Sequence, residues 1–316
     1  MPRSRSLGLF VLMYSLSTCW NSSRHIDGRA MLREIRDLGF GYAELSHGIR
    51  LSLVPGILEA VEAGEIQITT LHNFCPLPIG LTHAAPNVFK FTSTDPRERD
   101  NALRHTLKTL ELAQRVRARL VVLHMGAVEM RDYTEQLIEM AGEGLRDTSR
   151  YQRLCLEAEE KREARKARHV LPAFDILRRI EEEAAQRGLL LGIENREALE
   201  EIPFESDFPF LFQEFNGGTV RYWHDTGHAQ IKENLGFIDH VMHLESLAPQ
   251  LAGFHVHDVE FPAADHRPPG RGMINFAALQ PLVKPEHIKV LELHPQTPQE
   301  EVLAARDHLQ SLWGPE

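Results

Sequence analysis

Seven consecutive residues, Tyr222-Trp223-His224-Asp225-Thr226-Gly227-His228, bring two imidazoles, a carboxylate and a glycine together. They follow a short apolar lead from Val220 and precede a segment, Ala229 to Leu244, with helical spacing. A strand ending in Asp-Thr-Gly-His would project an oxygen and a nitrogen donor from one tip, as a metal site on a strand-to-helix loop requires. The plainer alternative makes Asp225 a helix cap and leaves His228 on the surface.

Three further residues share the position of Asp225. Glu194, Asp225, His255 and Glu292 each stand where an apolar run gives out, spaced 31, 30 and 37 residues apart. A barrel of roughly 250 residues in eight units repeats about every 31, so the four would occupy equivalent places on successive strands and meet at one rim. Three carboxylates gathered there would repel one another unless a divalent cation neutralised them. The mixed oxygen and nitrogen set suits Mn²⁺, Mg²⁺, Zn²⁺ or Co²⁺ in a catalytic site, whereas structural zinc prefers thiolates.

The same logic brings His72 and His124 to the neighbouring sector, where they would hold a second ion or orient a substrate hydroxyl. His255 and His257 share a strand face because side chains alternate with period two. His255 is taken as the ligand and His257 as its support, although spacing does not separate them. Arg196 shares a face with Glu194 and would neutralise a ligand, pin an anionic substrate or form a rim salt bridge.

These placements require eight strands, and eight apolar runs are present: Gly8 to Ser15, Tyr42 to Leu45 with Glu44 near its tip, Ile66 to Leu71, Leu120 to Leu123, Leu189 to Ile193, Val220 to Trp223, Leu251 to Val256 and Ile288 to Leu291. Between them lie helical patterns at Asp27 to Leu38, Val54 to Ala63, Asp95 to about Val116, about Pro172 to Gly188, Ala229 to Leu244 and Pro298 to Trp313. Asp95-Pro96-Arg97-Glu98 reads as a helix start with a capping box. Strands alternating with helices imply a parallel sheet, and eight units favour a (β/α)8 barrel over an open doubly wound sheet. The proline-bearing loop from Asn73 to Thr94 is long enough to serve a site or a lid. The expectation is one domain over residues 1–316 with a charged helical insertion, hairpin or lengthened helix, over residues 131–170.

Apolar residues at 42% and charged residues at 25% describe an ordinary globular chain, neither disordered nor membrane-embedded. A net charge of −10 argues against gripping nucleic acid or an anionic membrane. Cys19, Cys75 and Cys155 form no paired framework, which favours a reducing compartment, the cytoplasm. Arg3 and Arg5 before Leu7 to Leu16 look like the start of a signal peptide, but removing this run would delete a strand that a closed barrel needs. There is no glycine-rich dinucleotide fingerprint and no phosphate-cradling GxxxxGK[ST]. Homo-oligomerisation is left open.

Gly192-Ile193-Glu194-Asn195, Trp223 to His228, Phe254-His255-Val256-His257-Asp258, His266-Arg267-Pro268-Pro269-Gly270-Arg271-Gly272 and Leu291-Glu292 together resemble the xylose isomerase-like TIM-barrel superfamily. That superfamily holds sugar isomerases and epimerases as well as apurinic-site nucleases of the endonuclease-IV type. In the epimerase branch the resemblance implies that Glu194, Asp225, His255 and Glu292 hold the metal, that the two glutamates also move protons, and that His228 contacts substrate. The nuclease branch uses three zincs, and His72, His124, His228 and His266 match several of its ligands, which makes His266 part of any second site. That branch wants aspartate two residues before His266, where this chain has Ala264, with Asp265 out of register. The expected activity is therefore a divalent-metal-dependent isomerase or epimerase acting on a small sugar, sugar phosphate or polyol-derived ketone. Multinuclear zinc hydrolysis is the alternative, and a non-catalytic sugar-binding relic the third.

Overall fold

A computed structural model describes residues 14–315. Eight strands, β1 (Tyr14–Ser17), β2 (Tyr42–Leu45), β3 (Gln67–His72), β4 (Leu120–Leu123), β5 (Leu190–Glu194), β6 (Val220–Asp225), β7 (Leu251–Val256) and β8 (Ile288–Leu291), close a parallel barrel. Each strand lies beside its neighbour in sequence, and β8 returns to β1 with Tyr14 opposite Lys289 and Leu16 opposite Leu291. The part of the first expected strand from Gly8 to Met13, like Arg3, Arg5 and Leu7, lies outside the described residues.

Around the barrel run α1 (Gly28–Asp37), α2 (Val54–Glu62), α3 (Pro96–Arg115), α4 (Thr134–Gly142), α5 (Ser149–Gln186), α6 (Phe208–Glu214), α7 (Thr226–Leu235), α8 (His240–Leu247), α9 (Phe276–Leu279) and α10 (Gln299–Trp313). Three sequence expectations are corrected. The helix expected from Ala229 to Leu244 is two helices, because Gly236 ends α7 at φ 90°, a left-handed conformation that glycine adopts without a Cβ penalty. Pro172 does not open a helix but lies inside the 38-residue α5, whose stem before it belongs to the charged segment. Asp95 caps α3 as expected, yet the capping box does not close. Glu98 instead accepts from the Lys90 amide and the Ser93 hydroxyl, fastening the end of the long loop.

Below the mouth, Leu120, Val122, Trp223, Ile288 and Val290 pack as one buried apolar cluster. Trp223 is too large for this layer unless its neighbours give up their side chains. A Cβ on Gly253 would lie 2.5 Å from both the Trp223 ring and the Ile288 carbonyl, and one on Gly192 would lie 3.1 Å from Trp223 Cβ. Trp223 thereby becomes a floor, its ring centroid 5.2 Å from that of His255 above.

The outward face of β6 carries a separate polar cluster. Tyr222 bonds His224 Nδ1 at 2.7 Å and His243 Nε2 at 2.9 Å, and His224 Nε2 lies 2.9 Å from His240 Nε2. Lys232 pairs with Glu205 at its edge. Burial pushes His240 down to about 4 and His243 down to about 3, so both are neutral at pH 7. In the unfolded chain they regain values near 6.5 and bind more protons than the folded chain does below that pH. The stability they contribute is present above pH 6.5 and lost as pH falls toward 4 and 3, on the order of several kcal/mol for the pair. The melting temperature should therefore drop steeply between pH 6.5 and 4, and His243→Gln should make that drop shallower in a pH series of thermal melts.

Candidate metal centre

Strand endings deliver the four residues expected at the rim. Glu194 ends β5, Asp225 ends β6, His255 is one residue short of the end of β7, and Glu292 follows β8. All four are buried, and one donor atom of each lies within 4.8 Å of the others. Three carboxylates converge on a single nitrogen: His255 Nδ1 stands 2.5 Å from Glu194 Oε1, 3.2 Å from Glu292 Oε2 and 4.0 Å from Asp225 Oδ2.

The other nitrogen of that ring decides what Nδ1 can do. His255 Nε2 donates to Glu44 Oε2 at 2.9 Å, and Glu44 is itself held by the Ser17 hydroxyl at 2.9 Å and the Thr70 hydroxyl at 2.8 Å. With Nε2 carrying the proton, Nδ1 presents a lone pair to the carboxylates, which is repulsive unless a cation lies among them. Burial would depress His255, yet Glu292, Glu44 and Glu194 hold it well above the ordinary imidazole value. Even with a second proton, donated from Nδ1 to Glu194 Oε1, the ring answers two of the four surrounding carboxylates and leaves Glu292 and Asp225 without an N–H from it. The donor set, three hard oxygens and one imidazole nitrogen with a carboxylate behind it, fits a divalent ion. Glu44 was legible as a strand-tip residue but had no role assigned; its signal is the same positional rule applied to β2.

Electrostatics separate the carboxylates. Burial raises Glu292 above the usual carboxylate range against the pull of His255 and His266. For Glu194 burial is overcome by His255 and His124, and for Asp225 by His228 and His257, so both are held well below that range. Asp225 also caps α7, accepting from the His228 amide at 2.8 Å, so the capping and rim readings of this residue are both realised. His228 is buried, not on the surface as the plainer reading had it, with Nδ1 donating to the Asn195 carbonyl at 2.9 Å.

His257 stands behind Asp225. Its Nδ1 accepts from the His266 amide at 2.9 Å, which leaves Nε2 to donate to Asp225 Oδ1 at 3.0 Å. The His266 ring stacks on it, centroids 4.3 Å apart, with Asp265 at 3.0 Å from His266 Nδ1. Asp258 organises the loop that follows, its carboxylate accepting from the amides of Gly270, Gly272 and Ile274. His72 and His124 lie beside Glu194, with His72 Nε2 3.0 Å from His124 Nε2 and the latter 2.6 Å from Glu194 Oε2. Arg196 does not reach into open space for a substrate; its guanidinium is buried between Glu194 and Glu201, at 2.7 Å and 3.0 Å. His224, the first histidine of the 222–228 motif, points away from the rim into the outer cluster because it is one residue out of phase with Asp225.

Above Glu292 opens a cavity of about 370 Å³, lined among others by Ser46, His47, Arg50, His83, His266 and His294. Leu77, Thr82 and Ala84 of the long loop after β3 form part of its wall, the role expected of a loop of that length. His47 was not singled out in the sequence. Burial pushes its imidazole down to about 3, and its ring lies edge-on to His72 at 4.7 Å.

A family model described as a xylose isomerase-like TIM barrel matches residues 32–312. Among solved structures, a D-tagatose 3-epimerase-like protein is similar at 16% identity, covering 95% of this chain and 96% of its own, with TM-score 0.68. The Escherichia coli 3-keto-D-glucoside 4-epimerase is similar at 15% identity, with 95% and 99% coverage and TM-score 0.65. A Thermus thermophilus protein soaked with ZnCl₂ is similar at 20% identity, with 95% and 98% coverage and TM-score 0.60. These likenesses carry the fold. No curated protein matches the chain.

The packing of His257 against α7 gives a direct test. A Cβ on Gly227 would lie 2.0 Å from His257 Cε1, so Gly227→Ala must push the ring off Asp225. Overpacking of this kind should cost about 1–3 kcal/mol, read as a lower denaturant midpoint at unchanged slope.

Proposed function

The chain belongs to the xylose isomerase-like TIM-barrel family, and on that premise we propose that it is a divalent-metal-dependent isomerase or epimerase of a small polyhydroxylated carbonyl compound. The observation that carries this reading is the convergence of Glu194, Asp225 and Glu292 on His255 Nδ1 beneath a cavity of sugar size. Sugar epimerases among the structural relatives support the same substrate class. Glu194, Asp225, His255 and Glu292 would hold the ion, with Mn²⁺, Zn²⁺, Mg²⁺ and Co²⁺ all compatible with the donors. When bound, it would supply positive charge to an oxygen that becomes negative as a neighbouring C–H bond breaks.

The chain's own groups would do the rest. Glu194 would take the proton from the carbon beside the carbonyl. Glu292, which meets the same nitrogen of His255, would return one from the other side or to the neighbouring carbon. Glu44 would fix the His255 ring from behind, and His257 would fix Asp225. His228, His72 and His124, which surround Glu194 and Asp225 rather than line the cavity, would orient substrate hydroxyls brought to the ion, while Arg196 would act through Glu194. Among the described residues no helix is long and apolar enough to cross a membrane, and with three unpaired cysteines the cytoplasm is the proposed compartment.

A second reading, hydrolysis at a multinuclear zinc centre, draws on His72, His124 and Glu194, which form another donor set sharing Glu194 with the first. Two or three zincs per chain with cleavage of abasic DNA would favour it.

Asp225→Asn separates metal holding from helix capping, because asparagine caps as well as aspartate does but carries no charge. The variant should still fold, with its melting transition kept though lowered by the lost pairing with His257, while metal affinity, measured by competition with a chelator, falls at least 10–100-fold. Metal content equal to that of the parent chain would reject the assignment. Incubating the loaded enzyme with ketoses, inosoles and sugar phosphates in D₂O should place deuterium at the carbon next to the carbonyl of the product. Product without deuterium would instead mean a hydride shift.

A further inference from the structure

Beside the quartet lies a second convergence of donors that already contains a cation. His72 Nδ1 donates to the Asn73 carbonyl at 2.8 Å and His124 Nδ1 to Asn87 Oδ1 at 3.0 Å, so in the neutral rings both Nε2 atoms carry lone pairs. These two nitrogens are 3.0 Å apart, and Glu194 Oε2 is 2.6 Å from His124 Nε2. Three electron-rich atoms meeting at such distances repel unless something positive stands with them.

Arg196 is that positive group. Its Nη1 donates to Glu194 Oε2 and to His124 Nε2, each at 2.7 Å, and lies 3.4 Å from His228 Nδ1. From the far side Glu201 Oε1 accepts from Nε at 3.0 Å, and Glu201 is itself fixed by the short strand pair Glu201–Ile202 with Gly126–Ala127. The guanidinium is buried and cannot lose its proton at any working pH. A divalent ion coordinated by His124 and Glu194 would stand directly against this fixed charge, with no water between to screen it.

Resting on the reading that the quartet holds a divalent ion, we propose that Arg196 takes the place of a second metal ion at His72, His124 and Glu194 and keeps the centre mononuclear. The two cations exclude each other: where the guanidinium sits, two of the three donors of the second site, His124 Nε2 and Glu194 Oε2, are spent on its Nη1 N–H groups. A single ion suits proton transfer next to a carbonyl, whereas in-line displacement at phosphorus draws on a pair of ions, so Arg196 also sets which chemistry this rim supports.

The test is metal stoichiometry. The full-length chain, Arg196→Met, Arg196→Lys and the double variant Arg196→Met/His124→Ala are saturated with Zn²⁺, freed of excess by gel filtration, and analysed by elemental mass spectrometry. The expected ratios of zinc to chain are one, two, one and one: removing the charge opens the second site, a lysine keeps it closed, and removing a ligand abolishes it again. Two zincs on the parent chain, or one on a folded Arg196→Met, overturns the role given to Arg196 while leaving the metal quartet standing. No zinc on the parent chain overturns the proposed function itself and this inference with it. Should Arg196→Met fail to fold, calorimetric titration of the parent chain with Zn²⁺ decides: one tight ion is expected, and a second overturns the proposal.

Discussion

Everything at the barrel mouth depends on one electrostatic problem, the concentration of carboxylates around the His255 ring. Glu44 stands on one nitrogen and Glu194, Glu292 and Asp225 on the other, all withdrawn from solvent. Water cannot stabilise these charges, and a single imidazole proton cannot balance them, which is the ground on which a cation is proposed there. The surrounding structure reads as a set of devices that keep the donors aimed while the charge is unbalanced: hydroxyls of Ser17 and Thr70 on Glu44, the α7 amide on Asp225, and His257 behind it.

Holding those groups in place is a packing matter. Trp223 forms the floor only because Gly192 and Gly253 leave room for it, and His257 reaches Asp225 only because Gly227 lacks a side chain. Each glycine is required by a close approach rather than by a turn. The rigid strand ends fix direction to within a hydrogen bond, and the loops after β1, β2, β3 and β8, with His266 from the loop after β7, supply the walls of the cavity above.

Positive charge is distributed in an equally specific way. Arg196 lies deep at the rim instead of at its edge, spanning Glu194 and Glu201, and it is the residue that most changes how the histidines next to it are understood. Lys232 plays a comparable role for Glu205 in the outer cluster under α7 and α8, where buried neutral histidines fill space between β6 and the helices without facing the cavity. The two polar clusters share β6 and are kept apart by the alternation of its side chains.

Much of the barrel was readable from the order of residues. Apolar runs separated by helical patterns imply parallel strands, and the spacing of Glu194, Asp225, His255 and Glu292 implies a common rim, since both follow from fixed repeats along the chain. The passage of α5 through Pro172 and the unclosed capping box at Asp95 were not readable, because each is settled by what the segment packs against, whereas the break at Gly236 is a local glycine signal that helical spacing alone passes over. Nor could spacing tell His255 from His257, assign Glu44 to the ring of His255, or bury Arg196 among acids. Those outcomes depend on contacts between strands up to 211 residues apart, which only closure of the barrel brings into reach.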